Sequence, residues 1–230
     1  MREEIVGEVV ERTFSQEIRR HYNLFVPPGD GPYPLVIAMH GYGGDRTSLM
    51  RLMRRINETD FAIAALQGPH QHVVRPDDQT HPLKFGFGWA TNFEFDESMA
   101  MHANAIQTIM SQMEAHPRVD AERVFLVGFS QAVAMNFRVA FTNPGIVRGV
   151  VGICGGIPGD WLTDGKYVRG NFDVLYLAGR TDEYYSPEKM KSNAEALLTR
   201  ARSVEFRIFE CGHEVPRESY DVISEWLFAR

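Results

Sequence analysis

Gly128-Phe129-Ser130-Gln131-Ala132 directly follows the largely apolar run Arg123-Val124-Phe125-Leu126-Val127. A hydroxyl perched on a sharp strand-to-helix turn is placed to attack an acyl carbon, and such a turn needs small residues two positions to either side. Gly128 and Ala132 meet that need, Ala132 with one methyl more than glycine. A serine hydroxyl is a weak nucleophile until a base takes its proton, and the base needs an acid to orient it. Beyond Ser130 the one histidine that follows a strand end is His213, in Cys211-Gly212-His213-Glu214 after the run Val204 to Phe209. Asp182, in Gly179-Arg180-Thr181-Asp182-Glu183, follows the run Phe172 to Ala178. Three residue types that acyl transfer requires therefore occupy three eligible strand ends, in the order serine, acid, histidine. Glu183 is the reserve acid. Asp173, at the N-terminal end of its strand, and Asp164, in the preceding excursion, rank below it.

The developing oxyanion needs preorganised donors. One is the backbone N–H of Gln131, at the start of the helix after the serine. The other is expected from His40-Gly41-Tyr42-Gly43-Gly44-Asp45, whose glycines let backbone amides turn inward, and Tyr42 N–H is the candidate. The competing reading of this loop, a dinucleotide-binding turn, lacks the last glycine of G-x-G-x-x-G. The following strand also ends in Gln67-Gly68, without an acid for a ribose. Trp89, Tyr184 and Tyr185 are candidate substrate-pocket residues. His70, His72 and His81 with Asp77 and Asp78 match no metal-ligand spacing, so no metal is expected. Cys154 as a nucleophile is disfavoured because Cys154-Gly155-Gly156 opens no helix. Asp45 is a helix cap.

The elements that must position these groups alternate along the chain. Leu35 to Met39, Phe61 to Leu66, Arg123 to Phe129, Val147 to Ile153, Phe172 to Ala178 and Val204 to Phe209 read as strands. Helical spacing marks Arg46 to Glu58, Glu97 to Ala115, Gln131 to Phe141, Pro187 to Ala201 and Arg217 to Phe228. This alternation predicts an α/β fold with a mainly parallel sheet covered by helices on both faces. Val6 to Phe14 and Arg19 to Val26 predict an antiparallel N-terminal hairpin, for about eight strands in all. The stretch Gln67 to Phe95 is long for a connection and carries the alternating aromatics Phe85, Phe87, Trp89, Phe93 and Phe95.

The 230 residues, 44% hydrophobic and 23% charged, suit one globular domain spanning 1–230. A net charge of −6 without a basic run argues against a nucleic-acid partner. Two cysteines cannot build a disulfide framework, the N-terminus has no apolar leader, and no apolar run is long enough to insert in a membrane. A cytoplasmic protein acting on a small molecule is expected, with a homodimer allowed.

His40-Gly41-Tyr42-Gly43-Gly44, Gly128-Phe129-Ser130-Gln131, Gly179 through Asp182 to Pro187, and Gly212-His213 together resemble the α/β-hydrolase fold. Within it the chain from Leu35 to Arg230 is similar to the phospholipase/carboxylesterase branch, which includes acyl-protein thioesterases and is close to dienelactone hydrolases. The sequence departs from that pattern at Ala132 and at Pro187, one place late after the acid. The resemblance implies a serine carboxylic-ester hydrolase without a cofactor. Ser130, Asp182 and His213 would be its triad, and the Tyr42 and Gln131 amides its oxyanion hole. With no long insert after Val147 to Ile153, no large lid is expected, and short-chain or small esters follow as substrates. A thioesterase or other acyl hydrolase of the same fold, and a non-catalytic binding protein built on it, are the alternatives.

Overall fold

The computed structural model describes residues 8–74 and 83–230. Seven strands form the main sheet: β1 (Tyr22–Phe25), β2 (Tyr33–Met39), β3 (Ala62–Leu66), β6 (Val119–Phe129), β7 (Gly149–Ile153), β8 (Asp173–Gly179) and β9 (Ser203–Phe209). They lie in the order β1-β3-β2-β6-β7-β8-β9. Only β1 runs antiparallel, against β3; every other pairing is parallel. A separate antiparallel pair, β4 (His70–Val74) and β5 (Lys84–Gly88), stands apart from this sheet.

Alternate residues of each buried strand feed opposite faces, as the two-residue period of a strand requires. Leu35, Ile37 and Met39 of β2 join the core formed with α2 (Phe95–Glu114), α3 (Gln131–Thr142) and α4 (Pro187–Leu198). Val36 and Ala38 face α1 (Arg46–Ile56) and α5 (Tyr220–Phe228) on the other side. Asp45 caps α1 as expected, its carboxylate accepting from the amides of Thr47 and Ser48 at 2.7 and 2.9 Å. No helix among the described residues is long and apolar enough to cross a membrane.

The mainly parallel α/β sheet agrees with the sequence; its N-terminal edge does not. The sheet has seven strands rather than eight, because only Tyr22–Phe25 of the expected hairpin pairs. Residues 8–21 form no strand, and Val9, Phe14 and Ile18 are exposed. A two-stranded extension at this edge would have no apolar face to bury, and such ribbons are marginal alone. Arg20 instead ties the segment down, donating to the carbonyls of Gln67 and Met101 at 3.2 and 3.4 Å. An antiparallel strand pair appears later, inside the Gln67 to Phe95 stretch.

The order of the strands creates the place where a ligand can sit. From β2 the chain moves to β3 on one side, then crosses back to lay β6 on the other side of β2. Loops leaving the carboxyl ends of β2 and β6 diverge there, which opens a crevice at the switch point of an open parallel sheet. The loops after β8 and β9 reach the same rim. At the opposite end of the sheet, Asp173 accepts from Arg202 and Ser203, and from Arg230 at 3.0 Å. The hydrogen bonds from Arg202 outweigh burial and hold its carboxyl down at about 2. Asp173 is thus a structural anchor remote from the crevice.

Candidate active site

Ser130 sits between the end of β6 and α3 with φ 55° and ψ −117°, a backbone conformation that a non-glycine residue adopts only under constraint. The constraint comes from both neighbours. Ser130 N–H donates to the Ile153 carbonyl at 2.9 Å, and its own carbonyl accepts from Val133 N–H at 3.1 Å. Gly128 lets the turn pack tightly, since a Cβ on it would lie 2.8 Å from the Asn136 amide nitrogen and 3.3 Å from the Ala132 backbone. Ala132 is fully buried, so its extra methyl is accommodated in the core.

The turn aims the Ser130 hydroxyl at His213. Oγ lies 2.8 Å from Nε2, and Nδ1 lies 2.9 Å from Asp182 Oδ2. Because a carboxylate only accepts, Nδ1 must carry the proton, and Nε2 turns its lone pair to the serine. Asp182 has a fully buried side chain. Its second oxygen accepts from the amides of Tyr184 and Tyr185 at 2.8 and 3.0 Å. Burial alone pushes this carboxyl up, but the hydrogen bonds from His213, Tyr185 and Tyr184 outweigh it and hold the group below its ordinary value. Three rings confine the imidazole: Phe129 at 4.9 Å, Tyr184 edge-on at 4.8 Å and Tyr185 stacked at 5.9 Å. The arrangement can deprotonate a hydroxyl and return the proton to a leaving group.

Tyr42 and Gln131, the residues expected to supply the oxyanion donors, line the same cleft as Ser130. Neither Tyr42 N–H nor Gln131 N–H has an acceptor among the described residues. Gly41 lets the first approach closely, because a Cβ there would stand 2.7 Å from the Phe129 ring. The β4–β5 pair buttresses this loop. Gly43 N–H donates to the Phe87 carbonyl at 3.0 Å, and Phe87 N–H returns a bond to Gly44 at 3.1 Å. The His72 ring stacks on Tyr42 at 4.1 Å. The long stretch that the sequence left without a role thus props the loop after β2.

A cleft of about 530 Å³ opens over the serine, lined by Tyr42, Ser130, Gln131, Tyr184, Tyr185, Lys189 and His213. Tyr184 and Tyr185 therefore face the cleft. Trp89 does not: it is fully buried behind the cleft rather than on its wall. Trp89 stands one place beyond β5, where its ring turns into the core; Phe85, at the same parity within the strand, is exposed, so the alternation that suggested a wall does not carry through to residue 89. Lys189 is the cleft residue that sequence reasoning missed. Its position in the first turn of α4, just after Pro187, was the available signal. Between β7 and β8, residues 154–172 add no helix over the opening, and Trp161 and Tyr167 of that stretch are buried. Asp164 is ion-paired to Lys166 at 2.6 Å, and Glu183 is exposed.

Cys154 Sγ, the Asp182 carboxylate and the His213 ring nitrogen lie within 4.8 Å of one another. Burial, reinforced by the Asp182 charge, pushes the thiol up to about 12. It is therefore protonated near neutral pH, which leaves no thiolate to act as a nucleophile. Of the histidine loop, His70 contacts Ser98 Oγ at 3.2 Å, while His81, Asp77 and Asp78 lie outside the described residues.

Behind the turn, His102 is buried against the edge of Trp89, and Nε2 lies 3.0 Å from Asn136 Oδ1. Burial pushes its pKa down to about 4. The unfolded chain, with an ordinary value near 6.5, binds this proton first, so the contribution to stability is complete above that value. It is lost progressively as pH falls to about 4, by up to roughly 3 kcal/mol. Denaturant midpoints at neutral pH and near pH 4 should accordingly converge in His102→Gln relative to the parent, by about 2 kcal/mol. Equal acid sensitivity in both proteins would contradict a neutral buried imidazole.

Comparison with solved structures finds the same architecture in several esterases. A carboxylesterase from Mesorhizobium loti superposes with a TM-score of 0.70 at 22% identity, covering 92% of this chain and 95% of its own. The Bacillus cereus carboxylesterase gives 0.69 at 15% identity, over 91% and 94%. Zea mays acyl-protein thioesterase 2 gives 0.65 at 15% identity, over 91% and 98%. At these identities the likeness shows the fold. The family follows from the sequence itself, whose residues 21–229 match the phospholipase/carboxylesterase family model. A match over nearly the whole length decides the matter: this chain belongs to the phospholipase/carboxylesterase family and is a hydrolase of the serine type.

Proposed function

We propose that the protein hydrolyses short-chain or small carboxylic esters through Ser130, His213 and Asp182. The observation that carries this reading is the continuous line from Ser130 Oγ through both His213 nitrogens to a buried carboxylate. In the first half-reaction the Oγ–H proton passes to Nε2 as Oγ bonds to the acyl carbon. The carbonyl π electrons move onto oxygen, which accepts from the Tyr42 and Gln131 amides. Asp182 holds the ring in place and stabilises the imidazolium. Collapse of the tetrahedral adduct expels the alkoxide, which takes the Nε2 proton and leaves an acyl-serine. Water then repeats the sequence, giving up its proton to His213 and freeing the carboxylic acid.

The open cleft, with no helix over it among the described residues, supports small acyl groups. A series of nitrophenyl acetate, butyrate, octanoate and dodecanoate tests this directly. The specificity constant should peak at the short esters and fall on the order of tenfold or more at dodecanoate. A maximum at the long chains would overturn the size preference. Matched thioesters of the same acyl groups separate an esterase from a thioesterase, the second reading, which the likeness to the maize thioesterase brings forward.

A further inference from the structure

Both proposed oxyanion donors are tied to one buried residue that touches neither. Trp89 Nε1–H donates to the His40 carbonyl at 2.6 Å, and Trp89 N–H donates to Gln131 Oε1 at 2.9 Å. The Gln131 amide reaches back to the Ala90 carbonyl at 3.5 Å. One end of the tryptophan thus grips the strand that leads into the Tyr42 loop, and the other grips the residue that supplies the second amide.

His40 transmits the first of these contacts. Its Nδ1 lies 2.7 Å from the Gly41 carbonyl, which cannot donate, so Nδ1 carries the proton. Nε2 then accepts from Gly68 N–H at 3.0 Å and from the Gln67 amide at 3.2 Å. Burial lowers the pKa of this ring and favours the neutral form that the contacts require. Gly44 N–H donates to the same Gly41 carbonyl at 3.0 Å. Two donors therefore hold that oxygen on the His40 side. In a trans peptide the following N–H points the opposite way, so Tyr42 N–H is turned from the body toward the cleft. The Trp89 ring, 4.9 Å from that of His40, supports the imidazole as well as the carbonyl.

We infer that Trp89 is a positioning residue: with His40 it fixes the direction of the Tyr42 amide, and through Gln131 it fixes the separation of the two amides. This rests on the acyl-enzyme reading above. An oxyanion hole is useful only when its donors match the place where charge develops, and small misplacements are costly.

Trp89→Phe is the informative variant: it keeps a buried ring and the main-chain bond to Gln131 while removing the indole N–H that holds the His40 carbonyl, and the thermal midpoint controls for the smaller ring volume. kcat and KM for nitrophenyl acetate, and the inhibition constant of phenylboronic acid as a tetrahedral mimic, should be measured beside the thermal midpoint. The inference expects kcat to fall about 10- to 100-fold, KM to stay within about threefold, and boronate affinity to weaken in parallel with kcat. His40→Asn, which keeps a donor near the Nδ1 position, should retain more activity than His40→Leu. Should Trp89→Phe fail to fold, Gln131→Leu breaks the other end of the same tie at the cleft and should show the same split. A folded Trp89→Phe with unchanged kcat and boronate affinity, or a loss confined to KM, overturns the inference. If that occurs while Ser130→Ala is inactive, the acyl-enzyme reading survives; full activity in Ser130→Ala removes both.

Discussion

Ser130→Ala should lower kcat on nitrophenyl acetate by about a millionfold while leaving the protein folded, the scale of loss seen when the serine of a comparable triad is removed. The expectation of an intact fold has a specific basis. The Ser130 side chain makes its hydrogen bond to His213, whereas the backbone of the turn is held by Ile153 and Val133. Alanine adopts the φ of 55° no less readily than serine, so only the nucleophile is lost. Some rate above that in water should persist, because the two amides and the cleft still bind the ester. Activity near that of the parent in a clean preparation would remove Ser130 from the mechanism.

Asp182→Asn should lower kcat by about ten thousandfold, through a change of tautomer rather than of shape. Oδ1 of Asp182 accepts from the amides of Tyr184 and Tyr185. Those two donors force the asparagine to keep its carbonyl oxygen there. Its NH₂ must then face His213 Nδ1, which becomes an acceptor. The ring proton moves to Nε2, so a donor rather than a lone pair meets the Ser130 hydroxyl. The base is lost although every heavy atom stays in place. Steady-state kinetics should show the loss in kcat with KM little changed, and a thermal midpoint close to that of the parent. A loss of less than about tenfold would contradict the assignment of Asp182 as the orienting acid.

The site was more legible than its surroundings. Ser130, Asp182 and His213 are separated by tens of residues, yet each follows a strand, and a parallel sheet delivers all such positions to one edge. The structure places them in hydrogen-bond contact. Tyr184 and Tyr185 came with Asp182 because their amides hold its carboxylate. What escaped sequence reasoning depends on partners that no local pattern names. Val6 to Phe14 has strand composition, but β propensity describes a fit to a half-buried surface, and residues 8–14 have no such surface. Within Gln67 to Phe95, the pair formed by His70–Val74 and Lys84–Gly88 is tied to the loop after β2 through bonds between Phe87 and Gly43 and Gly44, more than forty residues away. Trp89 was singled out as a pocket residue from a run of alternating aromatics, but it lies one place beyond β5, where the alternation of a strand no longer says which way a ring turns. His40 looked like a loop histidine. Its three polar contacts, two of them with residues after β3, emerge only when β2 and β3 lie side by side.

If Ser130 is an activated nucleophile, an electrophilic phosphorus reagent should trap it covalently. The full chain should be treated with a fluorophosphonate, its intact mass recorded, and the modified residue located by peptide fragmentation. One adduct per chain is expected, on Ser130, absent from Ser130→Ala and strongly slowed in Asp182→Asn. No adduct, or an adduct of equal rate on another residue when Ser130 is replaced, would contradict it.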